Sequence, residues 1–176
     1  MLRDEGRAAE RLAHVLARSR YAADLLMRSP ESVRMLAEDE GLTPRSREQV
    51  GRTMRSAISR KDDAASAMEA ARVIRREELF RICLADLVGV ADETQVQRAL
   101  TDLTEALLDA ALYIATKKVG LERGTPVPSD IALIGMGRLG GEECGYGSDA
   151  DLIVVHAPHE GTEEPEALQA VTAVML

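Results

Sequence analysis

Asp149 and Asp151, separated by a single alanine, open the apolar run Leu152-Ile153-Val154-Val155. In an extended strand residues two apart point to one face, so this spacing sets two carboxylates side by side while Ala150 and Leu152 turn away. Like charges held together in an apolar setting repel until a proton or a divalent cation neutralises them. Magnesium suits such a pair because it prefers carboxylate oxygen, keeps several waters and completes its shell with substrate phosphates. Just upstream, Gly140-Gly141 offers a phosphate backbone without side-chain bulk, and Ser148 adds a hydroxyl. Arg138 adds a cation, although a solvated loop arginine accounts for it equally well. The residues able to do chemistry thus converge on 138–151, and on metal-assisted binding of a phosphorylated ligand.

The glycines admit a second interpretation. Gly135, Gly137 and Gly140 spell the dinucleotide-binding fingerprint directly after the apolar run Ile131-Ala132-Leu133-Ile134. Such a site needs a full crossover helix before the next, parallel strand. The stretch from Gly140 to Ser148 contains Gly140, Gly141, Gly145 and Gly147, which leaves no room for that helix. The aspartate pair explains more of the segment. His156 and His159 lie either side of Pro158 without a third ligand at metal spacing and are expected at a strand end, and His14 stands alone.

The elements that must position this stretch begin with consecutive helices. Leu12, Val15 and Leu16 start an apolar stripe, and Ser29-Pro30 predicts a restart capped by serine, carried on by Val33 and Leu36 until Gly41. Val50, Met54 and Ala57 fall on one face of a third helix. Asp62-Asp63 caps a fourth, whose apolar face is Phe80, Cys83, Leu84 and Leu87 and whose end is Gly89. Arg72, Arg75, Arg76 and Arg81 are expected on a solvated face of that helix, opposite Glu77 and Glu78. Asp92 with Gln95 predicts a capping box, after which Val96, Leu100, Leu103, Leu107 and Ile114 hold one face as far as Lys117-Lys118. Gly124-Thr125-Pro126-Val127-Pro128 forbids helix and marks the expected boundary between a helical region, 1–123, and a second region, 124–176. There a strand over 131–134, the glycine loop, a strand over 149–155, an acidic loop and a helix from Pro165 are expected.

Composition bounds the partners. Charged residues make up 30% of the 176 and aromatic ones only 2%, so aliphatic side chains fill the interior, which favours helices. A net charge of -8 repels a phosphate backbone at long range and argues against nucleic acid or anionic lipid as partner. A nucleotide would have to arrive with its own cations. No apolar run approaches bilayer-spanning length, and Arg3, Asp4, Glu5 and Arg7 stand where a signal peptide would be apolar, so a cytoplasmic location is expected. Cys83 and Cys144 are far apart and are expected to be reduced thiols.

A hydrophobic residue, Gly-Gly, a short gap and Asp-x-Asp in an apolar strand resembles the polymerase-beta-like nucleotidyltransferase superfamily. The run Gly-Met-Gly-Arg-Leu-Gly-Gly-Glu-Glu-Cys-Gly-Tyr-Gly-Ser-Asp-Ala-Asp-Leu at 135–152 is similar, more narrowly, to the glutamine synthetase adenylyltransferases. Ser19-Arg20-Tyr21, Ala23-Asp24-Leu25-Leu26, Ser29-Pro30-Glu31, Arg75-Arg76-Glu77-Glu78-Leu79 and Ala99-Leu100-Thr101-Asp102-Leu103 resemble the helical region before that family's catalytic core. Cys144 departs from the family's usual leucine.

The resemblance implies an α+β fold, an all-helical region followed by the start of a nucleotidyltransferase domain with a small mixed sheet. It implies Asp149 and Asp151 as magnesium ligands and catalytic carboxylates. Gly140, Gly141, Ser148 and Arg138 would lie around ATP, the AMP donor to a tyrosine hydroxyl of glutamine synthetase. A PII-type nitrogen regulatory protein is a further implied partner. Gly145-Tyr146-Gly147-Ser148 resembles the half that attaches AMP. The alternatives are the phosphorolytic half that removes it, where an asparagine stands near the position of Gly145, and a non-catalytic helical interaction module. A third carboxylate is expected on a later strand, past residue 176, so that these residues alone would bind nucleotide weakly and catalyse nothing.

Overall fold

Capping side chains set where the long helices begin. In the computed structural model, which describes residues 2–37 and 40–176, Ser46 with Gln49 and Asp92 with Gln95 form reciprocal capping boxes, and Asp63 accepts from the Ser66 amide. These satisfy backbone donors that a helix start leaves orphaned. The helices that follow are α3 (Arg47–Ile58), α4 (Ala64–Val88) and α5 (Glu93–Arg123), preceded by α1 (Leu2–Arg18) and α2 (Arg20–Arg28). Gly89 and Gly124 end α4 and α5 with φ of 76° and 72°, the left-handed conformation that costs glycine least. α5 therefore runs past Lys117-Lys118, because the lysines only complement a helix end whereas the glycine makes one.

The expected helix from Pro30 is a 3₁₀ segment, Pro30–Leu36, followed by a 3₁₀ turn at Glu40–Leu42. Ser29 is buried and makes no side-chain cap; its amide instead donates to the Leu25 and Leu26 carbonyls and closes α2. The chain then folds back so tightly that a Cβ on Gly41 would lie 2.7 Å from the Met35 carbonyl oxygen.

α3, α4 and α5 pack on one another around Val50, Met54, Phe80, Ile82, Leu84 and Leu103. The solvated arginine face expected on α4 fails at Arg81, which is only 14% exposed and turns to Glu78. Glu78 is wholly buried: it accepts from the Arg45 amide at 2.9 Å, from Arg45 Nε at 2.7 Å and from Arg81 Nε at 3.2 Å. Arg81 also donates to the Gly41 carbonyl. A helical pattern places Glu78 beside Glu77 in sequence, but it lies a third of a turn further round, where the 40–46 segment covers it.

β1 (Ser129–Gly135) and β2 (Leu152–Pro158) form a two-stranded antiparallel sheet, in register from Ser129 opposite Pro158 to Gly135 opposite Leu152. The fold is α+β; the sheet among the described residues is antiparallel rather than mixed. Antiparallel pairing excludes a dinucleotide fingerprint at Gly135, which requires a parallel crossover. α7 (Glu164–Met175) covers one face, where Ala170 and Val174 meet Val119, Val127 and Ile131. The opposite face leaves Ile134, Ile153 and Val155 more than two-fifths exposed. Among the described residues no helix is long and apolar enough to cross a membrane.

Candidate functional site

The glycine run is a tight joint between the strands. After β1 the chain makes one helical turn, α6 (Gly137–Gly140), whose Leu139 is buried in the helical core. A Cβ on Gly135 would meet Leu139 Cγ at 3.0 Å, and a Cβ on Gly140 would lie 2.5 Å from the Gly135 carbonyl oxygen. Gly140 is required because the turn lies directly on the backbone of the strand that precedes it, and Gly135 is tightly seated under the Leu139 side chain. The turn ends in a Schellman motif, with the Glu142 amide donating to the Leu139 carbonyl and the Glu143 amide to that of Arg138. The left-handed position is Glu142, φ 59°, one residue beyond the glycine pair.

Gly140 and Gly141 spend their amides inside this turn, on the Met136 and Gly137 carbonyls at 3.0 Å each. What they leave open to a ligand is surface without side chains. Arg138 is exposed and has no ion pair among the described residues. Ser148 Oγ accepts from the Gly145 amide at 2.8 Å, and the Ser148 amide donates back to the Gly145 carbonyl at 3.1 Å, which closes a turn around Tyr146-Gly147.

Asp149 and Asp151 follow that turn and precede β2, which begins at Leu152 rather than at Asp149. The Met136 amide donates to the Asp151 carbonyl at 2.8 Å, so the ladder reaches Asp151 by one further bond. Asp149 lies outside it. Both side chains are exposed. The Asp151 carboxylate rests against Gly137, where φ is 52° and a Cβ would lie 2.9 Å from Oδ2. The carboxylate thus occupies space that any other residue at 137 would fill. Exposed carboxylates beside bare backbone are the donor set that magnesium takes, with water and phosphate completing its shell. Among the described residues no group of three or more His, Cys, Asp or Glu side chains is placed to hold a metal ion. His156 bonds Ser129 Oγ at 3.1 Å and His159 lies 3.2 Å from Asp130, both structural contacts at the sheet end. His14 is not alone, since its Nε2 lies 3.1 Å from the Leu87 carbonyl.

The loop between α6 and β2 is fastened to the helical body by side chains whose part in the site the sequence does not reveal. Cys144 is buried in the helical core, and its amide donates to Thr101 Oγ1 of α5 at 3.4 Å. Arg98 pairs with Glu142 at 2.8 Å. The Tyr146 hydroxyl donates to Asp86 Oδ2 of α4 at 3.0 Å, and its ring meets that of Tyr21 edge-on with centroids 5.7 Å apart. Burial, with Cys83 and Asp86 adding to it, pushes the Tyr146 phenol well above its ordinary value, so it remains a donor throughout the neutral range.

The joint makes a paired prediction. Gly140→Ala drives a Cβ into the Gly135 carbonyl and lowers unfolding free energy by about 1–3 kcal/mol. Gly147→Ala meets nothing within 4 Å and changes it by less than about 1 kcal/mol, toward greater stability. Urea unfolding of the two variants checks the contrast.

The family model of glutamate-ammonia ligase adenylyltransferase matches residues 9–175. The chain is similar to the bifunctional glutamine synthetase adenylyltransferase/adenylyl-removing enzyme of Streptomyces coelicolor, with 45% identity over 190 aligned residues that cover 99% of this chain and 19% of that protein. The proteins of the same description from Nocardia farcinica and Mycolicibacterium smegmatis are 45% and 44% identical, over 98% and 96% of this chain and 18% and 17% of theirs. The chain thus spans less than a fifth of the length of these relatives.

Proposed function

The chain belongs to the glutamate-ammonia ligase adenylyltransferase family, and from that premise we propose that it supplies part of a magnesium-dependent site that transfers AMP from ATP to a tyrosine hydroxyl of glutamine synthetase. The observation that carries this is the Asp151 carboxylate lodged against the bare backbone of Gly137, with Asp149 two residues away on the same loop. Asp149 and Asp151 would hold the metal. When bound, magnesium neutralises the paired carboxylates and stabilises charge on the attacking and leaving oxygens.

The protein's own residues then bind and orient. Gly140 and Gly141 would offer the triphosphate backbone free of side chains, Arg138 brings a guanidinium without an ion pair among the described residues, and Ser148 brings a hydroxyl. In-line attack on the α-phosphorus is chiefly a matter of such positioning and charge neutralisation. A phenol with an ordinary pKa of about 10 is a weak nucleophile at neutral pH, so a nearby positive charge would assist the acceptor tyrosine. The Gly145-Tyr146-Gly147-Ser148 wording supports the attaching rather than the removing half.

Two measurements test the proposal. Calorimetric titration of ATP into the chain is expected to give heat with magnesium present and none with EDTA; no binding under either condition, or equal binding under both, overturns it. In a protein of the relatives' full length carrying these residues, adenylylation of glutamine synthetase should release pyrophosphate. Production of ADP from the adenylylated protein and phosphate, dependent on Asp149 and Asp151, would assign these residues to AMP removal.

A further inference from the structure

The turn that carries Asp149 follows Cys144, whose side chain is buried in the helical core, and makes its own contact with that body through one phenol. Gly145 and Ser148 close on each other through two hydrogen bonds, so the residues between them and the aspartate after them move as one piece. Within that piece, among the described residues, Tyr146 is the side chain packed against the helical core, and its ring also meets that of Tyr21. Its hydroxyl ends on Asp86, at the last turn of α4 and 60 positions away in sequence. The turn's flanking glycines, Gly145 and Gly147, add no side-chain contact to the body. Arg98–Glu142 is more than half exposed on both sides and lies at the far end of the loop, where such a pair contributes little. The bond from the Cys144 amide to Thr101 is long at 3.4 Å.

We propose that Tyr146 and Asp86 are positioning residues, their hydrogen bond fixing the turn that presents Asp149 and Asp151 and so tying the proposed metal site to the end of α4. This rests on the proposed function for its consequence but not for its geometry. Neither residue touches a reacting atom. The bond is charge-assisted, from a half-buried phenol to an exposed carboxylate. Without it the turn keeps its internal bonds but swings on the two glycines, and the carboxylates no longer hold one place for a metal.

Hydrogen exchange of the intact chain, together with calorimetry of magnesium-ATP, tests the tie. Tyr146→Phe is expected to speed exchange of the Cys144, Gly145 and Ser148 amides by about tenfold or more, and to weaken magnesium-ATP binding by a similar factor. The buried amides of α4 and α5 should exchange unchanged, which a general loss of structure would not permit. Asp86→Leu should match Tyr146→Phe, and the double variant should add nothing to either. Asp86→Asn keeps an acceptor for the hydroxyl and should restore most of the protection. Unchanged loop exchange in Tyr146→Phe, or additive effects in the double variant, overturns the tie. If the unaltered chain binds no magnesium-ATP, the functional proposal fails, and the exchange rates still decide whether Asp86 and Tyr146 hold the turn.

Discussion

Asn in place of Asp149 or of Asp151 is expected to abolish the proposed magnesium-dependent ATP binding and, with it, the proposed AMP transfer, while leaving the fold intact. The substitution is nearly isosteric and removes only charge. Loss of an outer partner to a metal ligand costs about 10- to 100-fold in affinity, so loss of a ligand itself should exceed that range. Stability should move by no more than about 0.5 kcal/mol, because both side chains are exposed and neither makes a hydrogen bond or ion pair among the described residues. Removing one of two like charges on a short loop acts, if anything, in favour of folding. Titration of magnesium-ATP and thermal unfolding of both variants check the two halves. Retained binding in both variants would remove the assignment; a collapse of the thermal midpoint would mean the carboxylates serve the fold.

The opposite balance is expected at Glu78. Its carboxylate is fully buried and holds both Arg45 and Arg81. Glu78→Ala leaves two guanidinium groups, 27% and 14% exposed, facing a cavity without a counter-charge. Breaking a buried pair in this way costs about 3–5 kcal/mol, a large part of the 5–15 kcal/mol typical of a domain. The loss should appear as a fall in the urea midpoint at unchanged slope. Replacing Glu78 by Gln keeps acceptor oxygen for one arginine and should cost less. A loss below about 1 kcal/mol for Glu78→Ala would mean that desolvation already cancels the attraction. The carboxylate also accepts from the Arg45 amide just before the Ser46 cap of α3, so the same variant should expose the 40–46 segment to protease.

Much of the helical body was legible in order along the chain. The capping box at Asp92, the cap at Asp63 and the stops at Gly89 and Gly124 are local signals, each satisfied by residues within a few positions; the box at Ser46 is equally local but appears only in the structure. The buried faces of α3 and α5 follow from apolar spacing, and Val50, Met54, Val96, Leu100, Leu103 and Ile114 are all in the core. At Pro30 the local signal misled, because a 3₁₀ segment folded back on itself answers to the packing around Met35 and Gly41 rather than to a cap.

At the site, the sequence alone carried the family resemblance and the exclusion of a crossover helix and singled out Asp149 and Asp151 as candidates, since each depends on residue type and spacing within some twenty positions. Tertiary structure decided that Glu78 is inside, that Glu142 rather than a glycine takes the left-handed turn, and that Tyr146 rests on Asp86. Those facts depend on groups 33 to 60 positions apart, or on where a turn must lie to seat Leu139 in the core. Periodicity reports which face of an element is apolar. It carries no record of which distant side chain that face, or a charge beside it, will meet.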